Sequence, residues 1–275
     1  MSVMVFDSGI GGLTVLREAR VLMPDRRFVY VADDAAFPYG DWEEPDLLQR
    51  MTGLFGELIA EWKPEIIVIA CNTASTLAVS HLREAYPGQT FVGTVPAIKP
   101  AAALTRTGTV GLLATPGTIR RAYTAELIEK FAGHLHVIMQ GSIELVRLAE
   151  AHARGEDIHI DRFAEAQAPL FESPGGEKID TVVLACTHFP LVRGQLIASA
   201  PQPVSYVDSG AAIARQTIRV LPEETEARGV GGQAFLTSPP EHEADLALVL
   251  RRYGFPDVQS VAIEPMDTTS APTAP

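Results

Sequence analysis

Basic residues are scarce in this chain and never clustered. Its 275 residues include 22 Lys and Arg against 34 Asp and Glu, a formal net charge of −12. The longest basic runs are dipeptides: Arg26-Arg27, Arg120-Arg121 and Arg251-Arg252. Because a nucleic-acid binder neutralises phosphates with clustered Lys and Arg, this distribution excludes nucleic acid as a partner.

Long apolar runs and a basic leader are also missing. A membrane span needs about 20 consecutive apolar residues, whereas the longest runs here, such as 66–71, have the length of a buried strand. The first seven residues contain no Lys or Arg and already reach Asp7, which does not fit a signal peptide. Two cysteines make no disulfide framework. We therefore expect a cytoplasmic protein that does not bind a membrane.

Material for a core is plentiful, since 47% of the residues are hydrophobic. This fits one large domain or two of about 100 to 150 residues. Short runs rich in Val, Ile and Leu show no alternation, which is typical of parallel strands buried on both faces. These runs are 3–6, 28–31, 66–70, 110–113, 135–139 and 181–185. Apolar residues at helical spacing lie between them, for example Leu47, Met51, Leu54, Leu58 and Trp62, so the sequence predicts an α/β protein with parallel sheets.

The two halves of the chain carry similar strand-to-turn junctions. In the first half, runs 3–6 and 66–70 lead into polar turns, and in the second half runs 110–113 and 181–185 do the same. Two similar lobes are the favoured interpretation, although such matches also arise within one repetitive α/β domain. The expected first lobe is discontinuous, 1–95 plus 208–264, and the second is 96–207. The Pro-, Thr- and Ala-rich end, 265–275, is expected to be a disordered tail.

Both cysteines, Cys71 and Cys186, end a predicted buried strand and precede residues that can open a helix. A single free cysteine is more often a small core residue. Here, however, the only two cysteines occupy equivalent positions in the two expected lobes. Ligands of parallel α/β sheets bind beyond the carboxyl ends of the strands, so two thiols would face each other across a cleft. Such a pair suits proton exchange at a stereocentre, which needs a base on one face and an acid on the other.

Four motifs resemble those of the glutamate racemase family, within the aspartate/glutamate racemase superfamily, in order and at fitting intervals. They are Val5-Phe6-Asp7-Ser8-Gly9-Ile10-Gly11-Gly12-Leu13, Asp33 with Phe37-Pro38-Tyr39-Gly40, Ala70-Cys71-Asn72-Thr73-Ala74, and Cys186-Thr187-His188-Phe189-Pro190-Leu191. The resemblance covers about residues 3–219. It implies two lobes with the active site between them. It also implies interconversion of L- and D-glutamate without a cofactor or a metal, and D-glutamate for peptidoglycan synthesis.

The resemblance also implies roles for individual residues. Cys71 and Cys186 would serve opposite faces of the substrate's α-carbon, with Asp7 assisting Cys71 and His188 assisting Cys186. The residues expected to hold the amino acid are Asp7, Ser8, Tyr39, Gly40, Asn72, Thr73, Thr187 and His188, with Thr115 and Thr118 at its side-chain carboxylate.

Three carboxylates outside this set carry their own expectations. Asp33 matches a family position and is expected to orient a neighbour, whereas Asp34 is expected to be solvated. Glu150 also matches a family glutamate, but a carboxylate on a helix surface is the commoner case. Family members commonly form dimers, so a homodimer is a further expectation, although the sequence shows no interface signature.

Four alternatives stay open. The substrate could be another acid of the superfamily, aspartate or a hydantoin, because the sequence fixes the side-chain pocket poorly. A cysteine hydrolase would use one thiol as nucleophile and His188 as base, leaving the second thiol idle. A zinc site could form from Cys71, Cys186 and His188. A binding module would use the cleft only to hold an amino acid.

Overall fold

A computed structural model describes residues 2–221, 231–239 and 243–261. The strands are β1 (Val3–Asp7), β2 (Phe28–Ala32), β3 (Ile66–Ile69), β4 (Thr90–Gly93), β5 (Thr109–Ala114), β6 (His136–Gly141), β7 (Thr181–Ala185), β8 (Ser205–Val207), β9 (Gly232–Leu236) and β10 (Asp257–Ser260). The helices are α1 (Leu13–Leu22), α2 (Glu44–Trp62), α3 (Asn72–Ala85), α4 (Ile98–Leu104), α5 (Pro116–Arg120), α6 (Ala122–Ala132), α7 (Ile143–Arg154), α8 (Ile160–Glu172), α9 (Arg193–Ser199), α10 (Gly210–Val220) and α11 (Glu243–Arg252).

The strands form two separate parallel sheets. The first has the order β10-β9-β2-β1-β3-β4, and the second has the order β6-β5-β7-β8. Every neighbouring pair is parallel. The four strands β2-β1-β3-β4 follow the same sequence order as β6-β5-β7-β8, which accounts for the repeated junctions in the two halves. The predicted α/β class, with two lobes of parallel strands flanked by helices, is confirmed.

The absence of alternation in the strands has a direct structural cause. All five residues of β1 are buried, but they divide between the two faces of the sheet. Val3 and Val5 belong to a core with residues of α1, α10 and α11. Met4 and Phe6 belong to a second core with residues of α2 and α3. Because helices cover both faces, neither face of the strand needs polar residues.

The inner strands β5 and β7 of the second sheet are covered in the same way, whereas the edge strand β6 is mostly exposed or only partly buried, contrary to the burial expected for run 135–139. Leu113 and Leu184 pack with residues of α7 and α8 on one face. Leu112 and Val183 pack with residues of α4 and α6 on the other face. The predicted helical stripe in the first half is confirmed too, since Leu47, Met51, Leu54 and Leu58 are buried along α2 and Trp62 is partly buried.

The lobe boundaries 1–95 plus 208–264 and 96–207 stay a prediction. The strands of the first sheet come from residues 3–93 and 232–260, and those of the second from 109–207. The expected tail, 265–275, lies outside the described residues. No helix in the described part of the chain is both long enough and apolar enough to cross a membrane.

The carboxyl ends of the two sheets meet. β1 and β3 are neighbours in the first sheet, and β5 and β7 are neighbours in the second. The hydroxyls of Thr73 and Thr115, which follow β3 and β5, lie 2.9 Å apart. The hydroxyl of Thr187, after β7, donates to Asp7 at the end of β1 over 2.9 Å. The four polar junctions therefore form one interlobe cluster.

Candidate active site

Both cysteines lie in this cluster as free, buried thiols. Cys71 caps the N-terminus of α3, as expected for a thiol that opens a helix. Cys186 is followed instead by a short 3-10 turn, in which the N–H of Phe189 donates to the carbonyl of Cys186 over 3.2 Å. The expectation of a helix directly after Cys186 is therefore wrong, because α9 begins only at Arg193.

Cys71 has a polar neighbour but an unfavourable environment for charge. The hydroxyl of Ser8 lies 3.7 Å from its Sγ. Burial, together with the nearby carboxylate of Asp7, raises the pKa of Cys71 from 9.0 to about 12. A thiol in these surroundings holds its proton at neutral pH, so Cys71 is in the form that can act as an acid.

Asp7 connects the two lobes. Its side chain is fully buried, and its two oxygens accept from the N–H of Gly9 over 3.0 Å and from the hydroxyl of Thr187 over 2.9 Å. Burial raises the pKa of Asp7 from 3.8 to about 6, although the charge of His188 opposes part of this shift. Asp7 is therefore a carboxylate at neutral pH that can take up a proton at only mildly acidic pH.

His188 links Cys186 to a buried ion pair. Its Nδ1 lies 4.0 Å from Sγ of Cys186, and its Nε2 lies 2.7 Å from a carboxylate oxygen of Glu150. Burial alone would lower the pKa of His188, but the hydrogen bonds to Cys186 and Glu150 raise it well above its ordinary value. The second oxygen of Glu150 accepts from Arg154 over 3.1 Å. A protonated imidazole therefore sits beside Cys186.

The expectation that Glu150 is a surface carboxylate is wrong, because the residue is only 4% exposed. Burial raises the pKa of Glu150, but the hydrogen bonds from His188 and Arg154 have the larger, opposite effect. The net result is a pKa below the usual value. A signal for this burial was present in the sequence. Glu150 lies four residues after the apolar Val146, and positions i and i+4 share one face of a helix.

Tyr39 is held by Asp33 rather than by the cleft. Its hydroxyl donates to the fully buried Asp33 over 2.5 Å, and burial together with that carboxylate holds the pKa of Tyr39 well above its usual value. Arg50 donates to both oxygens of Asp33, over 2.7 and 2.5 Å. The expectation that Asp33 orients a neighbour therefore has a concrete form in the structure. Thr237, far away in the chain, completes the set over 2.6 Å.

Asp34 is only partly exposed and is bound to a neighbouring loop, rather than freely solvated as expected. Its carboxylate accepts from the backbone N–H of Thr237 over 2.9 Å, from the N–H of Ser238 over 3.0 Å, and from the Ser238 hydroxyl. These partners come from the loop after β9, which lies beside β2 in the first sheet. No local pattern could have indicated this contact, because about 200 residues separate the partners.

The Asp33 cluster gives a stability prediction. Replacing Arg50 with methionine leaves the buried Asp33 without its bidentate cation, so we expect a loss of about 3 kcal/mol in the free energy of unfolding. The measurement is urea unfolding followed by circular dichroism. Arg17→Met is the control, because Arg17 pairs with Glu18 at the surface and its loss should cost about 0.5 kcal/mol or less. Equal losses in the two variants would contradict the prediction.

Three threonines and an asparagine form the remaining polar wall. Thr115 caps α5 by accepting from the N–H of Thr118 over 3.3 Å, and its hydroxyl lies 2.9 Å from that of Thr73. Thr118 is fully buried behind Thr115, with the two hydroxyls 3.0 Å apart. Asn72 is 5% exposed, and its Oδ1 makes no hydrogen bond with any described residue. An unpaired buried oxygen costs about 1–3 kcal/mol, so Asn72 is poised to receive a donor from a ligand.

Gly40 and Thr14 make further contacts between the two lobes. A side chain at Gly40 would lie 2.5 Å from Ile143 and 3.2 Å from Thr115, so the turn after Tyr39 rests directly on the second lobe. Thr14 of α1 donates to the backbone carbonyl of Thr187 over 3.2 Å. The sequence interpretation missed Thr14, since a threonine in the first turn of a helix is a common feature with no functional signal.

The residues expected at the site lie in or beside this cluster, although the hydroxyl of Tyr39 is bound to Asp33, and their roles toward a substrate stay a prediction. The expected set is Asp7, Ser8, Tyr39, Gly40, Cys71, Asn72, Thr73, Thr115, Thr118, Cys186, Thr187 and His188. Within residues 2–221, 231–239 and 243–261, no group of three or more His, Cys, Asp or Glu side chains is arranged to hold a metal ion. The geometry thus gives no support to a zinc site.

Comparisons with known proteins identify the family of this chain. The sequence profile described as Asp/Glu/Hydantoin racemase matches residues 15–217. The chain is 60% identical over 219 residues to a glutamate racemase of Brucella anthropi, covering 80% of this chain and 79% of that protein. It is 56% identical over 239 residues to a glutamate racemase of Brucella ovis, covering 86% of each.

Solved structures give the same result. A crystal structure of the Escherichia coli glutamate racemase, in complex with L-glutamate and the activator UDP-MurNAc-ala, matches with a TM-score of 0.87 and 44% identity, covering 95% of this chain and 98% of that one. The glutamate racemase of Thermus thermophilus, in complex with β-chloro-D-alanine, matches with a TM-score of 0.74 and 28% identity, covering 96% and 97%. On these matches and on the paired thiols, the chain belongs to the Asp/Glu/hydantoin racemase family of isomerases.

Proposed function

We propose that this protein interconverts L- and D-glutamate by a two-base proton transfer between Cys71 and Cys186, without a cofactor or a metal. The observation that carries the proposal is the pairing of each buried thiol with its own ionisable neighbour, Asp7 near Cys71 and His188 near Cys186. The similarity to relatives named glutamate racemases supports glutamate as the substrate.

The chemistry follows from the two faces of the α-carbon. One sulfur, as thiolate, takes the α-proton, and the electron pair of the broken C–H bond remains on the substrate as a carbanion. The opposite thiol then gives its proton to the other face, which inverts the configuration and leaves that sulfur as the thiolate. Asp7 would assist proton movement at Cys71, and the protonated His188 would stabilise negative charge at Cys186.

The substrate groups match the polar wall. The Oδ1 of Asn72, which has no hydrogen-bond partner among the described residues, can accept from the ammonium group, and the hydroxyls of Ser8 and Thr187 can donate to the α-carboxylate. Thr73 and Thr115 offer donors for the side-chain carboxylate, and Thr118 supports Thr115 from behind. The remaining contacts would come from the backbone at Tyr39 and Gly40, since the turn at Gly40 packs against Thr115 while the Tyr39 hydroxyl stays on Asp33. A dianion is well matched to these donors and to the N-terminus of α3.

Substrate exchange requires the lobes to separate. Asp7 is fully buried, and Cys71 and Cys186 are only 6% and 7% exposed, so this conformation leaves little room for a substrate to reach them. Opening would break the interlobe hydrogen bonds of Thr187 with Asp7 and of Thr73 with Thr115. The substrate's own polar groups can replace these bonds, so the closed form can reassemble around it.

The titration of Asp7 should make the reaction slower at acidic pH, which appears as an acidic limb in the pH profile of kcat/KM. Because burial raises its pKa to about 6, Asp7 takes up a proton as the pH falls through that value and can then no longer act as a carboxylate. We expect kcat/KM to decline below about pH 6, and Asp7→Asn to remove this limb while lowering the rate about 10²-fold at neutral pH. The test is a pH profile of both proteins from pH 5 to 9. An unchanged acidic limb in Asp7→Asn would contradict the assignment.

The substrate is tested directly. We would follow optical activity by circular dichroism for L-glutamate, L-aspartate and a 5-substituted hydantoin, with a chelator present and no added cofactor. Loss of optical activity with glutamate alone is the expected result. Racemisation of aspartate or the hydantoin but not glutamate would assign a different substrate to the same thiols, and a requirement for metal would overturn the mechanism.

The biological setting is part of the proposal. D-Glutamate is a component of peptidoglycan, so we infer that the protein supplies cell-wall synthesis from the cytoplasm and binds neither nucleic acid nor membrane. Rescue of a bacterial strain that requires D-glutamate tests the supply role. A homodimer is also proposed, and light scattering of the purified protein would decide between dimer and monomer.

A further inference from the structure

We propose that Arg154 is a positioning residue for the proton transfer at Cys186, acting through Glu150 and His188. This inference rests on the proposed function of the site. Three successive contacts carry it: 4.0 Å from Cys186 to His188, 2.7 Å from His188 to Glu150, and 3.1 Å from Glu150 to Arg154. Arg154 lies at the outer end of this chain and does not itself touch the thiol.

The carboxylate of Glu150 is fixed because its two oxygens have different partners. Oε2 faces Nε2 of His188, and Oε1 accepts from Arg154. Its side chain is only 6% exposed, so water cannot readily replace a missing partner. A carboxylate with one free oxygen could rotate about its terminal bond, and the imidazole that depends on it would lose its orientation.

The charge changes of the catalytic cycle explain why Glu150 has a second cationic partner, Arg154, besides His188. Cys186 alternates between thiol and thiolate, so the charge next to His188 changes within each catalytic cycle. Whenever the imidazole gives up its proton, Glu150 loses the positive charge of one of its two partners. Arg154 keeps its proton throughout, because a guanidinium stays protonated in proteins. It therefore keeps Glu150 ionised in both states of Cys186.

The two thiols differ in this respect. In the described part of the chain, the hydrogen-bond donors to Asp7, the neighbour of Cys71, are the backbone N–H of Gly9 and the hydroxyl of Thr187, and both are neutral. The cationic chain thus belongs to the Cys186 side. The pair of Arg154 with Glu150 also differs from a surface ion pair. In the surface pair of Arg162 with Glu144, which joins α8 to α7, both side chains are about half exposed, whereas Glu150 is buried.

Removing the guanidinium should therefore affect the chemical step. We expect Arg154→Met to lower kcat for glutamate racemisation about tenfold, since small misplacements of a catalytic group are costly. The KM should stay within about twofold, because Arg154 contacts Glu150 rather than the residues expected to hold the substrate. Arg154→Lys keeps the charge and should recover kcat to within about threefold of wild type. Arg162→Met is the matched control and should change neither constant.

A double-mutant cycle with Glu150→Gln separates this role from a purely structural one. If Arg154 acts through Glu150, then adding Arg154→Met to Glu150→Gln should change kcat less than about twofold. An equal loss in both backgrounds, or an Arg154→Met enzyme with the kcat of Arg162→Met, would overturn the proposal. Thermal unfolding shows whether each variant is folded, and Arg154→Gln replaces Arg154→Met if the latter is not.

A readout independent of activity keeps the inference distinct from the proposed function. The ring ¹⁵N resonances of His188, assigned by comparison with His188→Asn, should shift in Arg154→Met but not when Glu150→Gln is already present. If Arg154→Met shows these shifts and the wild-type protein does not racemise glutamate, the proposed function would be overturned and the positioning role would stand. Racemisation with unchanged His188 resonances would overturn the positioning role alone.

Discussion

Replacing either Cys71 or Cys186 with serine is expected to lower the racemisation of glutamate by about 10³-fold or more. A two-base inversion needs a proton carrier on each face of the α-carbon, and an alcohol is a far weaker acid than a thiol. Losing one carrier therefore stops inversion even when the other is intact. The measurement is the initial rate of optical change, started from L-glutamate and from D-glutamate.

Two features make this prediction sharp. The equilibrium constant between enantiomers is one, so kcat/KM must fall equally in both directions for each variant. The fold should survive, because each serine replaces a single buried sulfur at a helix cap or turn. A cysteine hydrolase built on Cys186, His188 and Glu150 would behave differently, since it would lose activity in Cys186→Ser and keep it in Cys71→Ser.

Gly11→Ala is expected to lower kcat/KM about 10²-fold. A β-carbon at Gly11 would overlap Nδ1 of His188 and lie 2.5 Å from the hydroxyl of Thr187. The closed arrangement of the lobes leaves no room for it, so His188 must move away from Cys186 or the lobes must stay apart. Either displacement of about 1 Å removes the geometry that proton transfer requires. Steady-state kinetics with glutamate measures the loss.

The control for this substitution is Gly88→Ala, also in the first lobe. A β-carbon at Gly88 meets no heavy atom within 4 Å, so the same chemical change should leave the kinetics within about twofold of wild type. Unfolding of Gly11→Ala should stay cooperative, because Gly11 lies at the lobe interface rather than inside either core. Wild-type activity in Gly11→Ala would show that the lobes do not close as this structure indicates.

The strands β1, β2, β3, β5 and β7 and their burial could be predicted from the sequence, because helices cover both faces of the sheet there. The burial predicted for the run 135–139 is wrong, since its strand β6 is an edge strand and is mostly exposed or only partly buried. The run 181–185 coincides with β7, and the run 3–6 falls one residue short of β1. The equivalence of Cys71 and Cys186 was also visible, because the two halves share one strand order. These features depend on local apolar runs and on their order along the chain.

Contacts between distant segments could not be predicted in this way. The bond between Thr187 and Asp7 spans 180 residues and crosses between lobes. The partners of Asp34 and Asp33 on the loop after β9 are equally remote. A carboxylate is solvated by default, and only the assembled structure shows the donors that remove it from water.

Glu150 shows a different kind of error. Its helix and its face could be read from the spacing to Val146, yet a charged residue at a buried position needs a partner that the local sequence does not name. That partner, His188, lies in the turn after β7, 38 residues further along the chain. Partial information about the helix was available, but the pairing that makes the position tolerable was not.

The most direct test of the two-base mechanism is the distribution of deuterium after a short reaction of the wild-type protein with L-glutamate in deuterium oxide. The thiols exchange with solvent, so a thiol on the face opposite to abstraction delivers deuterium only to the inverted product. The account predicts α-deuterium in newly formed D-glutamate and essentially none in the remaining L-glutamate, with the mirror result from D-glutamate. Deuterium appearing equally in both enantiomers from the start, or protium carried from substrate to product, would contradict it.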